Sequence, residues 1–344
     1  MRTIIYLFII CSVFQLSCSG DKKDSFIMTV RGPVPASAMG QWLAHEHIMV
    51  DWIGANQTGT HRWVRDSVID RSLPFLIEIR ELGVESFVDC SPAYLGRDPL
   101  ILLDLSRQTD IHILTNTGYY GAVDNRFIPG HAWNETAEEL ASRWTEEFEH
   151  GIDASGIKPG FIKIGVKEDG PLSDLHARLI RAAAITHKKT GLVIKSHTGG
   201  DIPAFEQIEL LRQENVSPEA FIWTHAQNGS VEKLLEAAEL GVWISLDGVN
   251  ITGSEDETNT GNMEWYVRRL TEFRDAGLLG QVLISHDAGW YDAGEPAGGE
   301  YRGYTDIHRH LLPALRNNGF SLQEIEMLVS DNPARAFTIR VRQT

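Results

Sequence analysis

Cysteine is the scarcest informative residue in this 344-residue chain: there are three, and two of them, Cys11 and Cys18, sit in the first eighteen positions. Only Cys90 is left in the body, so no disulfide within it can form, even in an oxidising compartment. Positive charge is also short. Thirty-one Lys and Arg stand against 47 Asp and Glu, a formal net charge of −16, which argues against nucleic acid or an anionic bilayer surface as a partner. No internal repeat, low-complexity tract or dividing linker interrupts the body, so a single domain is expected. A long apolar run is missing except at the start, where Ile4 to Val13 follows Arg2 and precedes Ser17-Cys18-Ser19-Gly20.

That opening reads as a signal peptide over residues 1–18, too short to span a bilayer comfortably. Leu16-Ser17-Cys18 resembles a bacterial lipoprotein cleavage box, with Gln15 where an aliphatic residue is usual. The expectation is therefore export to a bacterial cell envelope, periplasmic or membrane-anchored through a lipid on Cys18. Residues 19–29 read as a polar tether and 30–344 as the folded domain.

Along the body, strand-like runs alternate with amphipathic helical stretches, the pattern of a parallel sheet with helices outside. Eight strands are expected: Leu43–Ile48, Glu85–Cys90, Ile111–Asn116, Phe161–Val166, Leu192–His197, Phe221–His225, Val242–Asp247 and Val282–His286. Eight is the number that closes a (β/α)8 TIM barrel of roughly 250 residues plus extensions. The fold class is thus α/β, one barrel with its site at the C-terminal ends of the strands.

Chemistry-bearing residues fall at those ends. His45 and His47 are two apart, so on an extended strand both imidazoles share a face. Lys163 lies in the fourth run, His197 ends the fifth, His225 ends the sixth and Asp287 follows the eighth. Four histidines, a lysine and an aspartate on one rim predict a metal site. Lys195, two before His197, reads as a buried ion-pair or supporting residue, His286 as structural and Cys90 as packing. His308 and His310 repeat the two-residue spacing in a helical stretch, where the side chains diverge, and are expected in solvent.

In this order the motifs His45-Glu46-His47, Gly96-Arg97-Asp98, Thr117-Gly118-Tyr119-Tyr120, Phe161-Ile162-Lys163, Ser196-His197-Thr198, Thr224-His225 and Ser285-His286-Asp287 resemble the phosphotriesterase-like family of the amidohydrolase superfamily, its phosphotriesterase-related and lactonase branch, from about Val30 to Phe337. The resemblance implies two divalent ions: His45, His47 and Asp287 on one, His197 and His225 on the other, and Lys163 bridging as N6-carboxylysine. The residues themselves show only a lysine among apolar neighbours, where burial favours the neutral amine that reacts with CO2. Nitrogen and carboxylate donors suit zinc, with manganese, cobalt or iron also compatible. Two ions about 3.5–4 Å apart can share a bridging hydroxide and polarise the electrophile together. Asp287 is placed to orient it and to carry its proton to the leaving oxygen.

Tyr94, Tyr119, Tyr120, Trp290 and Tyr291 follow strand ends and are expected to wall the substrate site. Ser254 to Thr258 and Gly294 to Gly299 read as mobile lids. Where the resemblance places a proton relay in the organophosphate-hydrolysing members, this chain has Asn228 and Asp247-Gly248, and Gly248 also replaces the arginine of the lactonases. The expected activity is hydrolysis of a small neutral carboxyl ester, a lactone foremost. A phosphotriester or other phosphoester, or an N-acyl amide, is the alternative at the same site, and a non-catalytic ligand-binding lipoprotein is the alternative of another class. A homodimer is a further expectation.

Overall fold

The computed structural model describes residues 25–252 and 262–344. The leader, Cys18 and the acidic loop Ser254 to Thr258 lie outside the described residues. The barrel strands are β1 (Gln41–Val50), β2 (Val84–Asp89), β3 (His112–Leu114, resumed at Asn116–Thr117), β4 (Phe161–Gly165), β5 (Ile194–His197), β6 (Phe221–Thr224), β7 (Trp243–Leu246) and β8 (Val282–Ile284). All neighbouring pairs around this series are parallel. The chain after β8 closes the ring. It passes through Ser285–Ala288 into β9 (Gly289–Asp292), which pairs with β1, while Asp287 N donates to His45 O and His47 N donates to Ala288 O. Gly289 has φ +104°, and a Cβ there would collide with the His47 carbonyl, so only glycine lets this strand approach.

Outside the ring, α1 (Arg65–Glu81), α2 (Pro99–Thr109), α3 (Ala137–His150), α4 (Asp174–Thr190), α5 (Asp201–Gln213), α6 (Val231–Glu239) and α7 (Met263–Asp275) alternate with the strands. A π-helical turn, Ile307–Leu311, leads into α8 (Leu312–Asn317), and α9 (Leu322–Glu326) and α10 (Asn332–Phe337) complete the wall. Local chemistry starts these helices where the sequence suggests. The Asp98 carboxylate accepts from Leu100 N ahead of Pro99, and Thr136 with Glu139 forms a reciprocal capping box. None of the helices among the described residues is long and apolar enough to cross a membrane.

The lower barrel interior is filled by Trp42, Ala44, Val88, Leu114, Phe161, Val193, Ile222, Trp243 and Leu283. Each large side chain here leaves water almost completely, which stabilises the fold by about 1.5–3 kcal/mol per residue. A strand pair that the sequence reading missed caps this end. Phe26–Thr29 runs antiparallel to Gly32–Pro35, and Ile27 joins the interior cluster. Among the described residues the first strand thus starts at Phe26, inside the stretch read as tether; a four-residue strand that turns at Val30-Arg31 is too short to stand out by periodicity. The third strand also departs from expectation, because Thr115 breaks it in two.

Candidate metal centre

A local irregularity in β1 aims the first two imidazoles. Trp42 and Ala44 face the barrel interior, and simple alternation would send His45 outward. The β1–β2 register shifts between Leu43 and Glu46, however, and His45 and His47 both line the upper cavity. A bulge here re-aims the side chains, as bulges next to functional sites do. Glu46 then points the other way, where its buried carboxylate accepts from Ser285 Oγ, His286 N, His286 Nδ1 and Ala288 N. His286 is thus a structural partner of Glu46.

All six predicted rim residues line one cavity of about 240 Å³: His45, His47, Lys163, His197, His225 and Asp287, together with Trp52, Cys90, Pro92, Leu95, Tyr120, Val123 and Trp290. His225 (φ 58°) and Asp287 (φ 53°) both adopt the left-handed conformation, which costs L-residues strain that the surrounding packing must hold. Donor atoms of His45, His225 and Asp287 lie within 4.8 Å of one another. His45 Nε2 and His47 Nε2 stand 3.5 and 3.1 Å from Asp287 Oδ1, and His225 Nδ1 is 3.9 Å from Asp287 Oδ2. Asp287 Oδ1 is buried and accepts no hydrogen bond. Imidazole nitrogens gathered on an unsatisfied carboxylate oxygen form a donor set that fits a divalent cation. Lys163, only 2% exposed, opens on the same cavity. Its backbone carbonyl is overlain by Gly118, at φ +112°, where any Cβ would collide.

Each imidazole has an outer partner that holds the ring. Ser91 Oγ donates to Met49 O, so its lone pair is left to accept from His47 Nδ1 at 2.9 Å, which frees His47 Nε2 for the cavity. One carboxylate, Asp247, takes both His45 Nδ1 and His225 Nδ1 at 2.8 Å. His197 Nε2 meets Glu168 Oε1 at 3.0 Å, and Tyr120 Oη lies 3.1 Å from His197 Nδ1.

Charges at the site are strongly perturbed. Burial opposes ionisation of Asp287, but the surrounding histidines override it and hold the carboxyl below its usual range. Asp247 behaves alike: burial pushes it up, and His225 and His45 bring it well down. Burial lowers His45 strongly and takes His197 to about 4, favouring the neutral rings that bind metals. Burial acts downward on His225 too, yet the Asp247 carboxylate raises it on balance. Cys90 lines the cavity, and burial pushes its thiol up to about 12, which favours the protonated, unreactive form.

The aromatic expectations divide. Trp290 and Tyr120 line the metal cavity, whereas Tyr94 and Tyr119 line a different one of about 190 Å³, with Thr58, Trp63, Arg97 and Glu147. Their assignment to the substrate wall of the metal cavity is corrected. Tyr119 and Tyr120 are adjacent and diverge, so only one can face the metals, and Tyr119 Oη turns to His131 Nε2 at 2.9 Å. Tyr94 sits at φ 66°, which swings it to the far side of its loop. His308 is a further correction: it is half-buried, 3.2 Å from Gln41 Oε1, while His310 is exposed. Glu168, Ser91, Trp52, Leu95 and Val123 are not singled out by the sequence, which marks Asp247 only as a strand end beside the missing relay. A place at the site could have been read for Asp247, since it ends the seventh run as His225 ends the sixth.

Comparison with known proteins agrees with this geometry. The phosphotriesterase family model matches residues 25–337. A phosphotriesterase homology protein of Escherichia coli (strain K12) is 28% identical over 300 residues, 87% of this chain and 98% of that protein. An aryldialkylphosphatase of Saccharolobus solfataricus is 26% identical over 89% of this chain and 97% of its own length. The crystal structure of the E. coli homology protein, complexed with phosphate in its active site, aligns with a TM-score of 0.73 at 26% identity, covering 87% of this chain and 99% of that one. A mutant organophosphorus hydrolase of Deinococcus radiodurans, at 24% identity and a TM-score of 0.79 over 90% of this chain and 97% of its own, shares the fold. A (β/α)8 barrel with a histidine, lysine and aspartate rim, matched from its first strand to its last helix, belongs to the phosphotriesterase family.

Proposed function

We propose that the chain is a binuclear metal-dependent hydrolase that opens a small neutral carboxyl ester, a lactone foremost. The observation that carries this reading is the meeting of His45, His47, Lys163, His197, His225 and Asp287 in one cavity whose remaining wall is largely apolar: Trp52, Leu95, Val123 and Trp290. His45, His47 and Asp287 would hold one ion, His197 and His225 the other, with Lys163 between them as N6-carboxylysine. Bound there, two divalent ions, zinc by donor type, supply an activated water and a Lewis acid for the ester carbonyl.

The protein's own residues account for the rest. Asp287 accepts the water's proton and returns it to the leaving alkoxide. Tyr120 Oη donates to His197 Nδ1 at 3.1 Å; with that nitrogen on an ion, the hydroxyl would be free to donate to the substrate's oxygen as charge develops there. Trp290 and Trp52 exclude bulk water from one side and hold an apolar portion of the ester.

A phosphoester is the second reading, favoured by the aryldialkylphosphatase relative and by the phosphate in the E. coli active site. Against it stands the seventh strand. Gly248 N–H is bonded to Tyr266 Oη, and a Cβ at 248 would come within 2.9 Å of Gln227 Nε2, so no histidine relay is built there. Metal analysis with a substrate panel on wild type and Lys163→Ala tests the reading. Two ions per chain and lactone turnover lost in Lys163→Ala are expected. A two-metal protein inert to lactones and esters would refute the choice of substrate, and aryl phosphotriesterase activity well above lactonase activity would establish the second reading. Tight ligand binding indifferent to metal removal would mark a binding protein.

Export and lipidation at Cys18 complete the proposal. Membrane fractionation of wild type and Cys18→Ala tests it, with the variant released into the soluble fraction.

A further inference from the structure

Below the metal cavity lies a second buried amine to which the proposed chemistry gives no task. Lys195 stands opposite Lys163 in the β4–β5 register and is fully buried. Its Nζ lies 3.2 Å from Ser245 Oγ, and Ser245 Oγ lies 2.8 Å from Asp247 Oδ2. Asp247 is itself 0% exposed and reaches one imidazole with each oxygen: Oδ2 to His45 Nδ1 and Oδ1 to His225 Nδ1, both at 2.8 Å. Gln227 Nε2 and the His225 backbone N–H complete the shell around Oδ1.

The donor and acceptor inventory gives this chain one direction. A carboxylate accepts only, so Ser245 Oγ spends its single hydrogen on Asp247. The hydroxyl is then left to accept from Lys195 Nζ. The carboxylate accepts only, so His45 and His225 must each carry their hydrogen on Nδ1. Both rings then present the Nε2 lone pair, the form a metal requires. On the proposed assignment His45 serves one ion and His225 the other.

We propose that Lys195, Ser245 and Asp247 form a one-way hydrogen-bond chain that fixes His45 and His225 in the same ring tautomer, and so ties together metal capture by the two halves of the centre. This rests on the reading that these histidines hold the ions. Lys195 and Asp247 are positioning residues, since neither lines the cavity. Glu168 provides an internal comparison. It partners His197 alone, so its loss weakens one half only.

The test is titration of apo protein with Zn2+ against a chromophoric chelator, for wild type, Lys195→Met, Ser245→Ala, Asp247→Asn and Glu168→Gln. Long-range 1H–15N spectra of histidine-labelled apo protein run alongside. Wild type is expected to take two equivalents. Asp247→Asn and Lys195→Met should weaken both by about 10- to 100-fold, Glu168→Gln should weaken one, and the Nδ1–H signature of His45 and His225 should give way to a tautomer mixture in Asp247→Asn. Circular dichroism and thermal unfolding of the apo forms identify any variant that fails to fold. Should Lys195→Met do so, Ser245→Ala breaks the same chain by one hydroxyl and is expected to weaken both equivalents. Wild-type affinity for both ions in folded Lys195→Met or Ser245→Ala, or loss of a single ion in Asp247→Asn, overturns the proposal while leaving the metal reading intact. A wild type that binds no metal overturns both.

Discussion

Trp290 lies face to face with His47, ring centroids 4.1 Å apart and planes inclined by 23°, and Trp52 stacks with the same indole at 5.5 Å. Trp290 holds this pose at φ 79°, an unusual conformation for a bulky residue, with its indole N–H donating to Asp287 O at 2.9 Å. One side chain thus braces a rim imidazole, the Asp287 backbone and the apolar wall. Trp290→Ala is expected to raise KM for a lactone roughly fivefold, the equivalent of about 1 kcal/mol for a lost aromatic pair. Trp290→Phe should recover most of it, as steady-state kinetics will show.

Asp287 is the one rim carboxylate with a buried oxygen that accepts no hydrogen bond among the described residues. Asp287→Asn keeps the shape and removes the proton acceptor. Its kcat should fall by about 100-fold or more even at saturating metal, the usual loss for a general base. Rate measurements across metal concentration separate this from weakened binding.

Metal removal should leave the barrel folded, because the lower interior around Trp42, Phe161 and Trp243 is built independently of the rim. Zinc at a hundredfold excess over its Kd should add about 2.7 kcal/mol for each ion bound. Calorimetry should then show Tm rising by roughly 4 °C per ion.

His308 is held neutral by burial, its value lowered to about 4. The unfolded chain protonates this ring near its ordinary 6.5. Stability from His308 is therefore complete above pH 6.5 and is lost as pH falls towards 4, because the unfolded state binds the extra proton. A profile of Tm against pH should be shallower on its acid side for His308→Gln than for wild type.

The rim was legible because one rule, chemistry at the C-terminal end of each strand, applies to every β/α unit, and short apolar runs mark those ends. His45 and His47 open on one cavity for a reason that their spacing only half contains. Their two-residue spacing puts them on one face, but it is the register shift between Leu43 and Glu46 that makes that face the inner one. A bulge leaves no mark in the hydrophobic pattern. Tyr94 and Tyr119 failed for a related reason: nearness to a strand end fixes height on the barrel and leaves the side of the loop open. Backbone at φ 66° for Tyr94 decides it, and no residue type announces that. The outer partners of the rings, Asp247 and Glu168, belong to contacts 22 and 29 residues apart in sequence, beyond any local pattern.

The loop from Pro92 to Arg97 is a partition one chain thick. Pro92 and Leu95 face the metal cavity of about 240 Å³, while Ala93, Tyr94, Gly96 and Arg97 face the outer one of about 190 Å³. One segment therefore shapes both rooms, and a substitution along it alters a wall of one or the other without touching a rim residue.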